Sequence, residues 1–248
     1  MSEPEPMVID DLIILGTAVP EEIKDGRRTI CTAGYSPTHG FVRIYPTNYN
    51  MPLTRWNIIK VPVERPITPH YNGRTESWKI IGSNREWDML YKKVETIGVL
   101  PQKERQNLVI RLIDDCCVSD LWNRHRSLGI VQAEILEHYF KTNEDLKKGI
   151  QTTLDKSFRV SVKDEFPIEP RIKYKCSNCT VDKGYHDQQL LEWGAYMWLK
   201  RSPDKAEQLW ENLGLDNPDY EKYLFVGNLL QYPTAFAIIS ILRFKKQV

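Results

Sequence analysis

The residues best able to do chemistry lie between positions 171 and 200, in RIKYKCSNCTVDKGYHDQQLLEWGAYMWLK. Cys176 and Cys179 are separated by two intervening residues, and His186 follows in the same stretch. That gap lets two thiolates reach one tetrahedral ion from a tight turn, and a nearby imidazole can add a third bond. The SNCTVDKG segment has the polar, glycine-containing character such a loop needs. The cofactor this spacing points to is a structural zinc ion on Cys176, Cys179 and His186, holding a predicted second barrel to its helix. The fourth ligand is left open: Cys31, Cys116, Cys117 or His125 from a distance, or Asp187 locally. Two other readings stay open as well. The thiols can be ordinary half-buried side chains beside a histidine that hydrogen-bonds at a helix start, or they can form a redox pair. A redox pair wants its cysteines at the N-terminus of a helix, and the helix predicted here starts only after His186.

Catalytic zinc is a poorer fit. Nucleobase deaminases pair His-x-Glu with a downstream Pro-Cys-x-x-Cys. Here KYKCSNC lacks the proline, His125 is followed by Arg-Ser and His138 by Tyr-Phe. Phosphate-binding loops, dinucleotide fingerprints, zincin helices and nucleophile elbows are all missing from the sequence. Metal-dependent hydrolysis would need converging carboxylates. Asp10, Asp11 and Glu22 near Lys24, or Asp114 with Asp115, are the available acids, and solvated strand-end positions explain them more simply.

A second set of residues suggests binding. Arg43 and Tyr45, Arg55 and Trp56, Lys60, Arg74 and Trp78 interleave cations with flat rings through the first third of the chain. On a sheet face, rings can stack on bases while cations follow phosphates. In FVRIYP the apolar positions Val42 and Ile44 alternate with Phe41, Arg43 and Tyr45, so Arg43 and Tyr45 are expected on one outward face. Arg124, His125 and Arg126 form a smaller patch. The same Arg and Trp types also favour protein interfaces.

The elements that must position these residues are mostly strands. The chain has 248 residues, 41% of them hydrophobic, with seven Trp and twelve Tyr, enough for one large or two smaller packed domains. A net charge of +1 supplies no global field for nucleic acid. Five cysteines cannot all pair within the chain, the start is acidic, and no apolar run is long enough to span a bilayer. These features point to a cytoplasmic, reducing setting. Strands are predicted in VIDDLIILGTAV, TICTAGYS, FVRIYPT, RWNIIKVPVERP and ESWKIIG, with the prolines of the fourth placing it near a sheet edge. Helical spacing of Trp87, Leu90, Tyr91, Val94 and Ile97, capped by Ser83 and Glu86, predicts a helix over 83–98. Strands are then expected near 108–113, 128–140 and 171–176, a polar connection over 141–165, helices within 186–213, and terminal strands at 223–228 and 235–244. Strands without alternating long helical crossovers exclude a doubly wound sheet. The expected fold is mainly β (α+β): two small OB-like antiparallel barrels with inserted helices, residues 7–104 and 105–248.

TICTAGYSPTHGFVRIYP, RTESWKI and YLFVGNLLQYPTAFAIISILRF resemble segments of prokaryotic dual OB-like domain proteins. The resemblance implies nucleic-acid or nucleotide recognition in defence-type systems. With the residue patterns, it yields an expected nonenzymatic module that contacts nucleic acid, single-stranded in preference, as an accessory subunit of a nucleoprotein or prokaryotic defence complex. A protein-docking or dimerising scaffold and an uncharacterised hydrolase are the alternatives.

Overall fold

The computed structural model describes residues 6–23, 26–66, 74–83, 85–142, 166–230 and 232–246. Lys24 and most of the connection expected over 141–165 lie outside them. The chain is mainly β and divides into two compact units, Met1–Asn107 and Leu108–Val248.

The first unit contains β1 (Met7–Thr17), β2 (Glu21–Glu22), β3 (Arg28–Ser36), β4 (Gly40–Thr47), β5 (Asn57–Glu64), β6 (Ser77–Ile80) and β7 (Glu95–Val99). β1 pairs antiparallel with both β3 and β5, β3 with β4, and β5 with β6. A short parallel pairing of β4 with β6, Arg43 opposite Ser77 and Ile44 opposite Trp78, completes the circuit. Five strands thus close on themselves as a barrel, with β2 added to β3 and β7 to β5. Closure removes the sheet edges that an open sheet of this size would expose. Its interior takes residues of four of these strands, alternate ones apart from a register shift in β1: Ile9, Leu12 and Ile14 of β1, Val42 and Ile44 of β4, Ile59, Val61 and Val63 of β5, Trp78 and Ile80 of β6. Close approach of β1 and β3 demands a glycine, because a Cβ on Gly34 would sit 2.1 Å from the Ile13 carbonyl oxygen.

Two local expectations for this unit are corrected. β5 lies between β1 on one side and β6 and β7 on the other, so Pro62 does not mark an edge; it stands opposite Val8 in the β1 pairing. The helix expected over 83–98 is a 3-10 segment, Trp87–Lys93, followed by strand β7. Of its five helically spaced apolar residues only Leu90 and Val94 are buried, while Tyr91 and Ile97 are exposed. Spacing without burial gives a helix no packing energy, and short helices depend on that energy.

The second unit holds the C-terminal part of helix α1 (Gln102–Arg111), β8 (Leu128–Thr142), β9 (Ile168–Cys176), β10 (His186–Gln189), helices α2 (Trp193–Arg201) and α3 (Gln208–Leu213), β11 (Tyr220–Asn228) and β12 (Phe236–Lys245). The order is β10-β9-β8-β11-β12. A parallel bridge between Leu190 and Ile238 brings the two outer strands together. β12 is therefore flanked on both sides, which accounts for its unbroken burial from Phe236 to Leu242. Gly214, at φ 64°, ends α3 in the left-handed cap that favours glycine.

The segment at 108–113 is the end of α1 and the residues after it, not a strand, although Ile113 makes an isolated bridge to Ile130. His186–Gln189, expected at a helix start, is strand β10. Its polar sequence conceals its burial. Gln188 accepts a hydrogen bond from Tyr174 Oη at 2.8 Å, and Gln189 donates to Tyr196 Oη at 3.2 Å. Buried amides carry little cost when paired in this way.

Candidate metal centre and outer barrel face

Three short pieces of the second unit bring thiols and an imidazole together. Cys176 is the last residue of β9, Cys179 follows in the turn after it, and His186 opens β10 directly opposite Tyr174. Gly184, at φ 71°, lets the loop reverse before β10. The fourth member is Cys117, just ahead of a 3-10 turn at Val118–Asp120. The ligand atoms of Cys117, Cys176, Cys179 and His186 all lie within 4.8 Å of one another, and the group could hold a metal ion. His186 Nε2 is 3.2 Å from Cys117 Sγ, 3.4 Å from Cys176 Sγ and 3.7 Å from Cys179 Sγ, and the Cys117 and Cys176 sulfurs are 3.7 Å apart.

Of the distant candidates for a fourth ligand, the structure selects Cys117. Its neighbour Cys116 is buried too but is not among the clustered ligand atoms. Cys31 belongs to the first unit, His125 is exposed in a turn, and Asp187 is engaged by Arg171 at 2.9 Å and by Tyr139 Oη at 2.7 Å. The expectation that the site ties the barrel to its helix is corrected: its residues come from the β9–β10 hairpin and from the chain ahead of β8.

The surroundings favour thiolate at Cys117. Burial raises its pKa, but hydrogen bonds from Ser119 and Thr180 outweigh burial and bring it down to about 6. Ser119 Oγ donates to Cys117 Sγ at 3.1 Å. At Cys176 burial dominates, neighbouring thiols add to it, and the pKa rises to about 12 despite a hydrogen bond from the Val118 N–H. Contacts outside the donors bind the same segments: Thr180 Oγ1 donates to Asp120 Oδ2 at 3.2 Å, and Asn178 Nδ2 donates to the Asp115 carbonyl.

The seven binding candidates of the first unit do not form one surface. Arg43 and Tyr45 do share the side of β4 opposite the buried Val42 and Ile44. Arg43, however, is only 5% exposed, and the Tyr45 hydroxyl hydrogen-bonds Thr29 Oγ1 at 2.9 Å. Arg55 and Trp56 lie in the turn before β5, with Arg105 over the Trp56 ring at 5.3 Å. Lys60 is exposed on β5, two strands away from β4 in the circuit. Arg74 is 7% exposed and acts electrostatically on Glu21. Trp78 is 9% exposed, packed into the barrel core with the Arg65 guanidinium 3.5 Å above its ring.

Sequence reasoning missed a ring on this face. Tyr35 stands directly opposite Phe41 in the β3–β4 register, with ring centroids 5.8 Å apart and an interplanar angle of 76°. Both rings are half-buried and, with Tyr45, lie away from the barrel core. The PTHG reversal between the two strands was the available signal, since a hairpin that short puts Tyr35 and Phe41 side by side. The corresponding outer side of β8–β9–β10 is different in kind. There Arg171 pairs with Glu169 and Asp187, both at 2.9 Å, and Lys173 pairs with Glu137 at 2.6 Å. Its cations are already answered by carboxylates.

Two of the candidate hydrolytic acids, Asp11 and Asp114, have structural partners. Asp11 receives hydrogen bonds from Ser36 Oγ and from Thr38 N–H and Oγ1, the last two at 3.0 and 2.7 Å, and so holds the β3–β4 turn. Asp114 accepts from the Ile130 N–H at 3.0 Å and pairs with Arg126. Among the described residues, no helix is long and apolar enough to cross a membrane.

Residues 9–111 match the model of a domain of unknown function, DUF8758. No curated protein matches. Among solved structures, the chain is similar to one in a study titled "Structure and Conformational Change of a Replication Protein A Heterotrimer Bound to ssDNA". The TM-score is 0.33 and the identity 11%, over 92% of this chain and 44% of that one.

Proposed function

We propose that this protein is a nonenzymatic nucleic-acid-recognition module built on OB-type barrels, and that it contacts single strands through the outer face of β3 and β4. The observation that carries the reading is the first unit's closed circuit of five strands, with Tyr35, Phe41 and Tyr45 half-buried outside it. Five-stranded Greek-key barrels of this order use that face for oligonucleotides. The second unit supports the same reading, since its five strands pair in the equivalent order, with helices α2 and α3 inserted before the fourth. Domain limits near 7–104 and 105–248 belong to this proposal, as does an accessory role in a nucleoprotein or defence assembly. Zinc at the Cys–His cluster is a structural part of it, not a catalytic one.

The face is richer in rings than in available cations. Arg43 is buried and Lys79 is paired with Glu64 at 3.0 Å. Stacking therefore carries more of the binding than phosphate contact does, and single strands, whose bases are unstacked at little cost, are the favoured partner. The test is fluorescence anisotropy with labelled single-stranded DNA and RNA and with duplexes of the same sequence. Tighter binding of single strands is expected, with a log–log salt slope corresponding to about one or two phosphates. Absence of single-strand binding at low salt, or equal affinity for duplex, overturns the proposal.

Docking to a protein is a second reading, favoured by β7. This strand pairs with β5, and its Ile97 and Val99 are 49% and 54% exposed. Strand addition to an available edge is a recurrent binding mode, and alanine at both positions would then abolish partner capture while leaving oligonucleotide affinity unchanged.

A further inference from the structure

We infer that Cys117, Cys176, Cys179 and His186 form a closed, four-donor zinc site that clasps the chain ahead of β8 to the β9–β10 hairpin, making folding of the second unit metal-dependent. The inference deepens the structural zinc named in the proposed function, and its tests read metal and folding, so they can fail or succeed independently of nucleic-acid binding.

The donor separations are those of the edges of a coordination tetrahedron. Bonds of about 2.3 Å to sulfur and about 2.0–2.1 Å to nitrogen place sulfurs about 3.8 Å apart and sulfur and nitrogen about 3.5 Å apart. The Cys117 and Cys176 sulfurs are 3.7 Å apart, the three sulfur–nitrogen separations run from 3.2 to 3.7 Å, and all four ligand atoms lie within 4.8 Å of one another. A disulfide between Cys117 and Cys176 would need about 2.05 Å, and all five cysteines are free. Three thiolates and an imidazole are soft donors that suit zinc and not magnesium or calcium. Four protein donors also fill the tetrahedron and leave no position for water or substrate, which marks a structural site.

The hydrogen bonds around these sulfurs serve the same purpose. Donors on Ser119, Thr180 and Val118 point at the Cys117 and Cys176 sulfurs, and N–H or O–H bonds to ligating atoms orient them and tune the site. Position along the chain explains what the metal holds. Cys117 lies 59 residues from Cys176, so one ion closes a long loop around β8 and most of β9. It also fixes the turn from β9 into β10, a strand of four residues whose sequence, HDQQ, has no hydrophobic side chain to hold it in register. Metal binding displaces the thiol protons, and its free energy enters directly into folding of the unit.

The experiment uses the whole chain, purified without added metal. Elemental analysis should find about one zinc per chain, and cobalt exchanged into the site should show the intense visible absorption of a tetrahedral thiolate complex. Cys117→Ser should weaken zinc binding more than about a hundredfold, beyond the effect of changing an outer-shell partner, whereas Cys116→Ser should leave it unchanged. If Cys117→Ser does not fold, chelation of the parent protein gives the readout by hydrogen exchange. Amides of β8, β9 and β10 should lose protection while those of β3 and β4 keep theirs. Zinc below about a tenth of an equivalent with no cobalt uptake, equal zinc affinity in the two cysteine variants, or unchanged protection of β8–β10 after chelation each overturns the inference.

Discussion

Alanine at both Tyr35 and Phe41 tests whether the outer face of β3 and β4 stacks bases. The rings oppose each other across the hairpin, edge to face at 5.8 Å, and each is half-buried. Each can therefore cover one base. A base stacked on an aromatic side chain is worth about 1–3 kcal/mol by alanine substitution, so either single variant should lose about five- to 150-fold in affinity. The rings touch, so the double variant should lose less than the two single effects combined. Stability changes far less. The edge-to-face pair contributes about 0.5–1.5 kcal/mol, against a domain stability of about 5–15 kcal/mol. The assay is anisotropy with a labelled single strand at two salt concentrations, with urea unfolding of the same preparations. Neither ring is charged, so the salt slope should be the same in parent and variants. Tyr91→Ala, which removes an exposed ring in the Trp87–Lys93 segment of the same unit, should leave affinity unchanged. A folded double variant that binds within about twofold of the parent refutes the stacking argument, because that loss is below the smallest effect expected for one ring.

Two further expectations concern the barrel that presents this face. Gly34→Ala should destabilise it by about 3–5 kcal/mol, comparable to a severe core substitution, because the new Cβ meets backbone atoms of Ile13 and Ile14 at 2.1 to 3.1 Å. Gly40→Ala, at φ 74° with nothing within 4 Å, should cost only the backbone strain of about 1–2 kcal/mol, and equal urea midpoints for the two would show that β1 and β3 are not closely apposed. Asp11 is the barrel's acid-sensitive contact. Burial works against its charge, but the hydrogen bonds from Ser36 and Thr38 prevail and hold its pKa below the ordinary 3.8. Its stabilising contribution is therefore complete above the unfolded-state value and is lost as the pH falls through the lowered folded value. After discounting for exposure, that contribution is about 1 kcal/mol. Urea unfolding from pH 5 downward should show this loss in the parent and not in Asp11→Asn, and identical pH profiles would exclude the role.

How much of this was legible in the sequence follows from which forces act locally. β1, β3, β4, β5 and β6 could be read because one face of each is apolar and the other is not, and that alternation survives without knowledge of neighbours. The same alternation put Arg43 and Tyr45 on the side of β4 away from Val42 and Ile44, without foretelling that Arg43 is buried there, and Cys-x-x-Cys with His186 announced three members of a group that could hold a metal ion. The misreadings share a cause. Trp87 to Ile97 has helical spacing, but burial at only Leu90 and Val94 left a 3-10 segment and a strand. β10 is polar in sequence and buried in the fold because Tyr174 and Tyr196 satisfy its glutamines, and such partners lie in other elements.

By itself, then, the sequence determined the β character, the strand faces and three of the four clustered donors, since each depends on residues close together in the chain. Tertiary structure decided the rest. Only closure of the circuit buried Arg43, Arg74 and Trp78 and left Tyr35 beside Phe41, and only the path from α1 to β8 brought Cys117, and not Cys116, to the hairpin. Those outcomes depend on which distant segments meet in space, and residue order alone carries no record of that.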